Sequence, residues 1–337
     1  MSARRSPRTV AGAPLRDDYD VVLAHEHVLI DIRCWLDGSH TPTRHLRDVY
    51  VGPDTIDAVR GNPFACADNL VLDDVNLAVA ELSGLRDLNA LVIDVTPDNV
   101  GRDPAALAGI ATAAGVDLVT GCGSYIWESR PGDDPARPAE AYRDDIFAAF
   151  DGPRPPAVIG EIGTGDPIHP SEVAALAGAA MAQRELGAPL YVHLHPWGTR
   201  GHEALDIVER AGGDLSRTVL CHLDAQIPQG LDLHRSLLSR GCLIAFDIWG
   251  DEFVYGAVRM PTDEERIRAT AALVADGHGA RLVHSHDVCT KTQLALFGGA
   301  GYDHLPRQVV PRLRAAGLDD AEVHRQLSGN ARALLGR

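Results

Sequence analysis

Short apolar runs alternate with longer amphipathic stretches along most of the chain. The apolar runs fall at residues 21–27, 90–95, 116–121, 157–162, 190–195, 218–222, 242–247 and 281–287. These short runs, alternating with longer amphipathic stretches, predict eight strands. Between them, residues 74–88, 104–114, 170–186, 202–211, 231–239 and 261–276 repeat apolar positions with helical spacing. Several of these open with Asp or Pro in the first turn, and Gly115, Gly187, Gly212, Gly241 and Gly277 close five of them.

Eight strands alternating with helices predict an α/β chain, a (β/α)8 TIM barrel whose active site lies at the C-terminal ends of the strands. An open doubly wound sheet is the competing fold. It would place a Gly-rich phosphate loop after the first strand, and none is present. No Pro/Gly/Ser linker divides the chain, so residues 1–337 are expected to form one barrel domain. Residues 33–67, rich in Gly, Pro, Asp and His, form a long first βα loop on the catalytic face. Residues 305–337 carry C-terminal helices, expected at 307–316, 320–328 and 331–335.

Composition narrows the partners. With 31 basic against 47 acidic residues, net charge is −16, which argues against nucleic acid and anionic membranes. A small anionic substrate is not excluded, because it responds to local charge. The six cysteines are scattered without a C-x-x-C pair, and Cys122, Cys221 and Cys242 lie in or beside apolar runs. That pattern predicts reduced thiols and a cytoplasmic protein. Arg4 and Arg5 are not followed by an apolar signal region, and no stretch of eighteen apolar residues occurs, so no membrane association is expected. Barrels of this size often form homodimers, and nothing in the pattern argues for or against one.

Metal-binding side chains concentrate at the strand ends. His25 and His27 lie two apart on the first run, so a strand would point both imidazoles into the same space. Glu161 ends the fourth run, His193 lies on the fifth, His222 ends the sixth and Asp287 ends the eighth. A lone histidine at a strand end is more often a packing residue, and an H-x-H pair is a modest signal. Six ligand-type residues at matching ends of five strands form a much stronger one. Four imidazoles and two carboxylates suit two divalent ions, zinc first, with manganese, cobalt or iron compatible.

The segments around these residues resemble the phosphotriesterase family, within the amidohydrolase superfamily. AHEHV at 24–28, VIGEIG at 158–163, GAPLYVH at 187–193, CHLD at 221–224 and SHD at 285–287 are similar to its ligand motifs. RTVAG at 8–12, GNPFACADNL at 61–70, IDVTPDNVGRDP at 93–104, GGAGYDHL at 298–305 and NARALL at 330–335 extend the resemblance over nearly the whole chain. The resemblance implies that His25, His27 and Asp287 hold one metal, that His193 and His222 hold the other, and that Glu161 bridges them. Organophosphate- and lactone-hydrolysing members usually carry a carboxylated lysine at the bridge. Glutamate there places the chain nearer the phosphotriesterase-related members.

The expected chemistry follows from charge. Two divalent ions against Glu161 and Asp287 leave a net positive centre, in which a metal-bridging water becomes hydroxide near neutral pH. Asp287 would accept the nucleophile's proton. Asp224, two residues past His222, could relay that proton outward or simply cap a helix, and the two readings weigh equally. His195 is expected to shape the pocket. Glu26, His284 and His286 alternate away from the ligands and are read as structural. Loop residues Tyr125, Trp197, Arg200, Trp249, Tyr255 and Lys291 are expected to contact a small-molecule substrate, with Lys291 as the anion contact.

The function expected is hydrolysis of a lactone, carboxylic ester or N-acyl amide, with an amide or lactone favoured. The alternative is phosphoester or phosphotriester hydrolysis at the same centre. A third reading, a non-catalytic metal-binding scaffold, is opposed by the intact ligand set.

Overall fold

The computed structural model describes residues 7–37, 41–255 and 258–336. Eight parallel strands form the predicted barrel: β1 Val21–Glu26, β2 Ala90–Asp94, β3 Asp117–Thr120, β4 Ile159–Thr164, β5 Leu190–Leu194, β6 Thr218–Leu220, β7 Leu243–Phe246 and β8 Leu282–His284. They pair as two arcs, β1–β2–β3 and β4 through β8 in chain order. Backbone hydrogen bonds join the arcs at both seams. Ala157 N–H donates to the Thr120 carbonyl (2.8 Å) and Gly160 N–H to that of Cys122 (2.6 Å), while Asp287 N–H donates to that of His25 (3.2 Å).

Helices α1 Val75–Leu82, α2 Pro104–Ala114, α3 Ala139–Phe150, α4 Pro170–Leu186, α5 Gly201–Arg210, α6 Asp232–Ser239 and α7 Asp263–Ala275 follow the first seven strands. Their starts follow the sequence signals. The Asp74 carboxylate accepts the N–H groups of Asn76 and Leu77, Asp103 accepts those of Ala105 and Ala106, and Thr262 pairs with Glu265 in a capping box. The five predicted glycine stops all have positive φ, for example 73° at Gly115 and 64° at Gly187.

The pattern missed α3. Of its twelve residues only Tyr142 and Ile146 are buried, too thin a stripe to stand out. The helix expected over 74–88 is shorter: after Leu82 the chain tightens into a 3₁₀ turn and ends at Asn89, whose φ is 47°. The expected break near 329 is absent, because Asp320–His324 and Asn330–Leu335 are joined by a wide π turn over Arg325–Gly329.

Two apolar layers result from strand alternation. Leu23, Val92, Leu118, Ile159, Val192, Leu220, Ile244 and Leu282 pack outward against the helices. Val22, Leu91, Ile93, Val119, Val158, Tyr191, Val219, Leu243, Ala245 and Val283 fill the barrel, joined by Ala331, Leu334 and Leu335 of the last helix. Among the described residues no helix is long and apolar enough to cross a membrane, and the six cysteines are unpaired.

Candidate metal centre

The barrel-filling residues Val22 and Ala24 set an alternation that would point His25 outward. A register shift in the β1–β2 ladder between Leu23 and Glu26 reverses the phase, so His25 and His27 both face inward, with their Nε2 atoms 3.3 Å apart. The β4–β5 ladder shifts in the same way between Ile159 and Ile162, which turns Glu161 inward after Val158. His222 and Asp287 reach the same space through left-handed backbone, with φ of 62° and 50°. Non-glycine residues rarely adopt that conformation, and such outliers cluster at functional sites.

All six predicted ligands come together. Oε2 of Glu161 lies 3.4 Å from Nε2 of His25, 3.3 Å from Nδ1 of His193 and 3.5 Å from Nε2 of His222, and Oε1 lies 3.4 Å from Nε2 of His27. Asp287 Oδ1 stands 3.2 Å from His27 Nε2 and 3.5 Å from His25 Nε2. The histidines and Glu161 are at most 3% exposed, while the Asp287 side chain retains 17% exposure and faces the mouth.

The donor set fits divalent metal. Tetrahedral ligands at about 2.0–2.2 Å from an ion stand roughly 3.3–3.6 Å from one another. Most separations here match that edge rather than a charge-assisted hydrogen bond of about 2.7–2.9 Å. The contact between His222 Nε2 and His193 Nδ1, at 2.8 Å, is tighter. Glu161 Oε2 is buried with no hydrogen-bond partner in the protein, although imidazole nitrogens surround it. The carboxylates draw positive charge in: burial alone would lower the His27 pKa, yet Asp287 and Glu161 raise it to about 10. His193 is held low by burial and is neutral, the form that binds a metal.

The groups that orient these ligands were less visible in the sequence. Asp247, just past β7, places Oδ2 at 2.9 Å from Nδ1 of His25 and Oδ1 at 3.2 Å from Nδ1 of His222, and also accepts the His222 N–H. Burial opposes its charge, but His222 and His25 hold its carboxyl well below the usual range. His27 Nδ1 bonds Thr96 Oγ1 (2.9 Å), so each of these imidazoles turns Nε2 toward the centre. Glu26 accepts from Ser285 Oγ, His286 N–H and Nδ1, and Val288 N–H, gripping the chain on both sides of Asp287. The sequence did place Glu26 as a structural group. Asp247 was readable by the same test as the ligands, since it ends the predicted seventh strand in phase with Leu243 and Ala245.

Gly160 and Gly163 explain the VIGEIG motif sterically. A Cβ on Gly163 would lie 2.2 Å from the Ile126 nitrogen, and one on Gly160 would lie 2.4 Å from the Tyr191 carbonyl oxygen. The chain after β3 therefore crosses Glu161 closely and brings in Tyr125. The Tyr125 hydroxyl lies 3.5 Å from His193 Nδ1 and accepts Trp35 Nε1–H at 3.0 Å. Burial first, then the Glu161 charge, pushes its pKa well above the usual value.

The other residues expected to touch substrate separate into two groups. Trp197 lies against His195 and Phe64, and Trp35 packs against Phe64, His193 and His195. Trp35 and Phe64 belong to the 33–67 loop and were not singled out in the sequence, although that loop was expected on this face. Trp249 is 1% exposed and donates Nε1–H to His284 Nδ1, whose pKa burial lowers to about 4. Arg200 is paired with Asp166 (2.7 Å), and Lys291 with Asp68 (2.7 Å). Each cation expected at a substrate thus has an aspartate partner. Asp224, considered as a proton relay, accepts from Arg266 Nε (2.8 Å) and Ile248 N–H (3.1 Å). Burial raises its pKa to about 6, and Arg266 opposes the rise. The Tyr255 side chain lies outside the described residues.

The chain is similar to known proteins over nearly its whole length. A family model described as "Phosphotriesterase family" matches residues 8–335. An N-acetyltaurine hydrolase of Tetraodon nigroviridis is 32% identical over 343 residues, covering 97% of both chains. The crystal structure of a resiniferatoxin-binding protein from Rhodobacter sphaeroides superposes with TM-score 0.92 at 35% identity, covering 98% of this chain and 94% of that one. A phosphotriesterase homology protein from Escherichia coli, complexed with phosphate in its active site, gives TM-score 0.77 at 25% identity, covering 95% of this chain and 100% of that one.

Proposed function

The chain belongs to the phosphotriesterase family and is a hydrolase, and on that premise we propose a two-metal amidase that cleaves the N-acyl amide of a small acid. The observation that carries the reading is Glu161, one buried carboxylate within 3.5 Å of all four imidazoles. His25, His27 and Asp287 would hold one ion, His193 and His222 the other, and Glu161 both. Bound there, divalent ions supply a water acidified to near neutral pKa and polarisation of the scissile carbonyl.

The protein's own groups do the rest. Asp287, the most exposed of the ligand side chains, accepts the proton of the attacking water and delivers it to the departing amine nitrogen. Asp247 and Thr96 keep the imidazole tautomers that present Nε2 inward. Tyr125 closes the His193 side of the pocket and offers its hydroxyl to the substrate. Trp35, Phe64 and Trp197 form an aromatic wall. His195 Nδ1 and Trp197 Nε1 are buried there without protein partners, and these neutral donors suit the single charge of a carboxylate or sulfonate. The N-acetyltaurine hydrolase relative acts on a substrate of that kind. The pairing of Arg200 and Lys291 with aspartates weighs against a phosphoryl dianion.

The test is turnover of zinc- and manganese-loaded protein on N-acyl amino and sulfonic acids, lactones, aryl esters and organophosphates, with products identified by mass. Hydrolysis of N-acyl acids that disappears in Glu161→Gln is expected. Cleavage of another class instead would overturn the amide reading. Full activity in Glu161→Gln would overturn the assignment of the site.

A further inference from the structure

A second cavity, of about 340 Å³, lies behind β3 and β4. It is lined by Gly123 and Ser124 after β3, Ile162 of β4, Tyr142 and Ile146 of α3, and Arg130. None of the six candidate metal ligands lines it. The segment Gly123–Tyr125 and strand β4 stand between the two spaces, since Tyr125 turns to His193 while Gly123 and Ile162 face the cavity.

Arg130 is 4% exposed, its guanidinium carbon lies 5.6 Å from the ring centres of Trp127 and Tyr142, and its hydrogen bonds run through one nitrogen. Nη1 donates to Tyr142 Oη (2.7 Å) and Ser171 Oγ (3.1 Å). Nε and Nη2 are buried with no hydrogen-bond partner in the protein. Those two nitrogens share one edge of the guanidinium plane and carry parallel N–H bonds, the fork that binds a carboxylate through both oxygens. A buried charge with three of its five N–H bonds unmatched is costly to keep, so the arrangement calls for an anion.

The mouth has the opposite character. Asp98, Asp133 and Asp145 also line the cavity, with side chains 61%, 39% and 59% exposed, against 2% for Arg130. Asp98 and Asp145 are paired with Arg102 and Arg137, and Asp133 Oδ2 lies 3.8 Å from Arg130 Nη1. Arg137, which also lines the cavity, is taken up by Asp145, so acidic groups at the mouth and one buried guanidinium with free N–H groups inside disfavour a dianion. They favour a ligand with one carboxylate leading and a cation trailing. Ile146, Ile162 and Ala175 supply an apolar middle.

We propose that this cavity is a second ligand site, for a small ω-amino carboxylate whose carboxylate sits on the Nε/Nη2 edge of Arg130 and whose ammonium faces the mouth aspartates. The site is independent of the hydrolase reading. The experiment is calorimetric titration of the full-length, metal-free protein with 5-aminovalerate, and with pentylamine and glutarate for comparison. We expect 5-aminovalerate to bind more tightly than either, with the same affinity in Glu161→Gln. Arg130→Lys keeps the charge and loses the fork, and should weaken binding at least about tenfold. Ile146→Trp fills the cavity while keeping Arg130, and should abolish binding. Circular dichroism spectra and melting curves of both variants establish that they fold. No binding of 5-aminovalerate to the wild type, unchanged affinity in either folded variant, tighter binding of glutarate, or loss of binding in Glu161→Gln would each overturn the proposal.

Discussion

Oδ2 of Asp247 stands 2.9 Å from Nδ1 of His25, while the other oxygen of the same carboxylate faces Nδ1 of His222 at 3.2 Å. One buried carboxylate thus faces an imidazole from each half of the centre. Asp247→Asn keeps the shape but removes the charge that holds both tautomers. Metal affinity should fall about 10–100-fold, measured by competition with a fluorescent chelator. Unchanged affinity for both metals would show that the histidines are oriented without it.

Tyr125 and Trp35 separate binding from support. Tyr125→Phe removes the hydroxyl beside His193 and leaves Trp35 Nε1–H without its acceptor. If Tyr125 touches the substrate, kcat/KM should fall by roughly ten- to a hundredfold with metal content unchanged. Equal loss of metal and turnover would instead make it a support for His193.

Gly163 tests the packing argument. Its Cβ would meet backbone atoms of Tyr125 and Ile126 at 2.2–2.9 Å, and backbone cannot swing aside as a side chain can. Gly163→Ala should destabilise the fold by about 2–4 kcal/mol in denaturant unfolding. It should also weaken metal binding, because Glu161 and Tyr125 flank the clash. A variant as stable as wild type would refute the close crossing.

Asp263 links the start of α7 to the chain after β8. Its carboxylate accepts from His304 Nε2 (2.6 Å), Gly250 N–H (3.0 Å) and Arg266 Nη1 (3.2 Å). Burial opposes its charge, yet these partners lower the pKa to about 2 from an ordinary 3.8. A depressed folded-state pKa contributes stability that is present above the unfolded value and lost as pH falls through the folded one. Asp263→Asn should therefore cost roughly 1–3 kcal/mol at neutral pH. The gap to wild type should narrow between about pH 4 and pH 2 in urea unfolding measured across that range.

Metal removal should lower stability as well as activity. Ions that bind only the folded chain stabilise it by mass action, about 4 kcal/mol at a thousandfold excess over Kd. Chelation should lower Tm by several degrees, and zinc or manganese should restore it. Rebinding should release protons near neutral pH, because Asp287 and Glu161 hold His27 protonated in the metal-free state. Calorimetry in two buffers of different ionisation enthalpy measures that release.

The alternation of apolar runs determined the barrel, because each buried strand and each helix stripe is a local pattern that the chain repeats in order. The six candidate ligand positions were legible for the same reason, as polar residues at the ends of apolar strands. Their phase was not. Period-two alternation from Val22 and Ala24 sends His25 the wrong way, and only the register shift against β2 turns it inward. Asp247 lay in view at a strand end, but its role depends on two histidines from other strands. The fate of cations was wholly tertiary. Lys291 meets Asp68 across 223 positions of chain and Arg200 meets Asp166 across 34, partners that no local pattern announces. The partly matched guanidinium of Arg130 is visible only once α3 and α4 have closed around it. Local pattern records which way a segment prefers to fold, whereas hydrogen-bond partners and cavity walls come from segments distant in sequence.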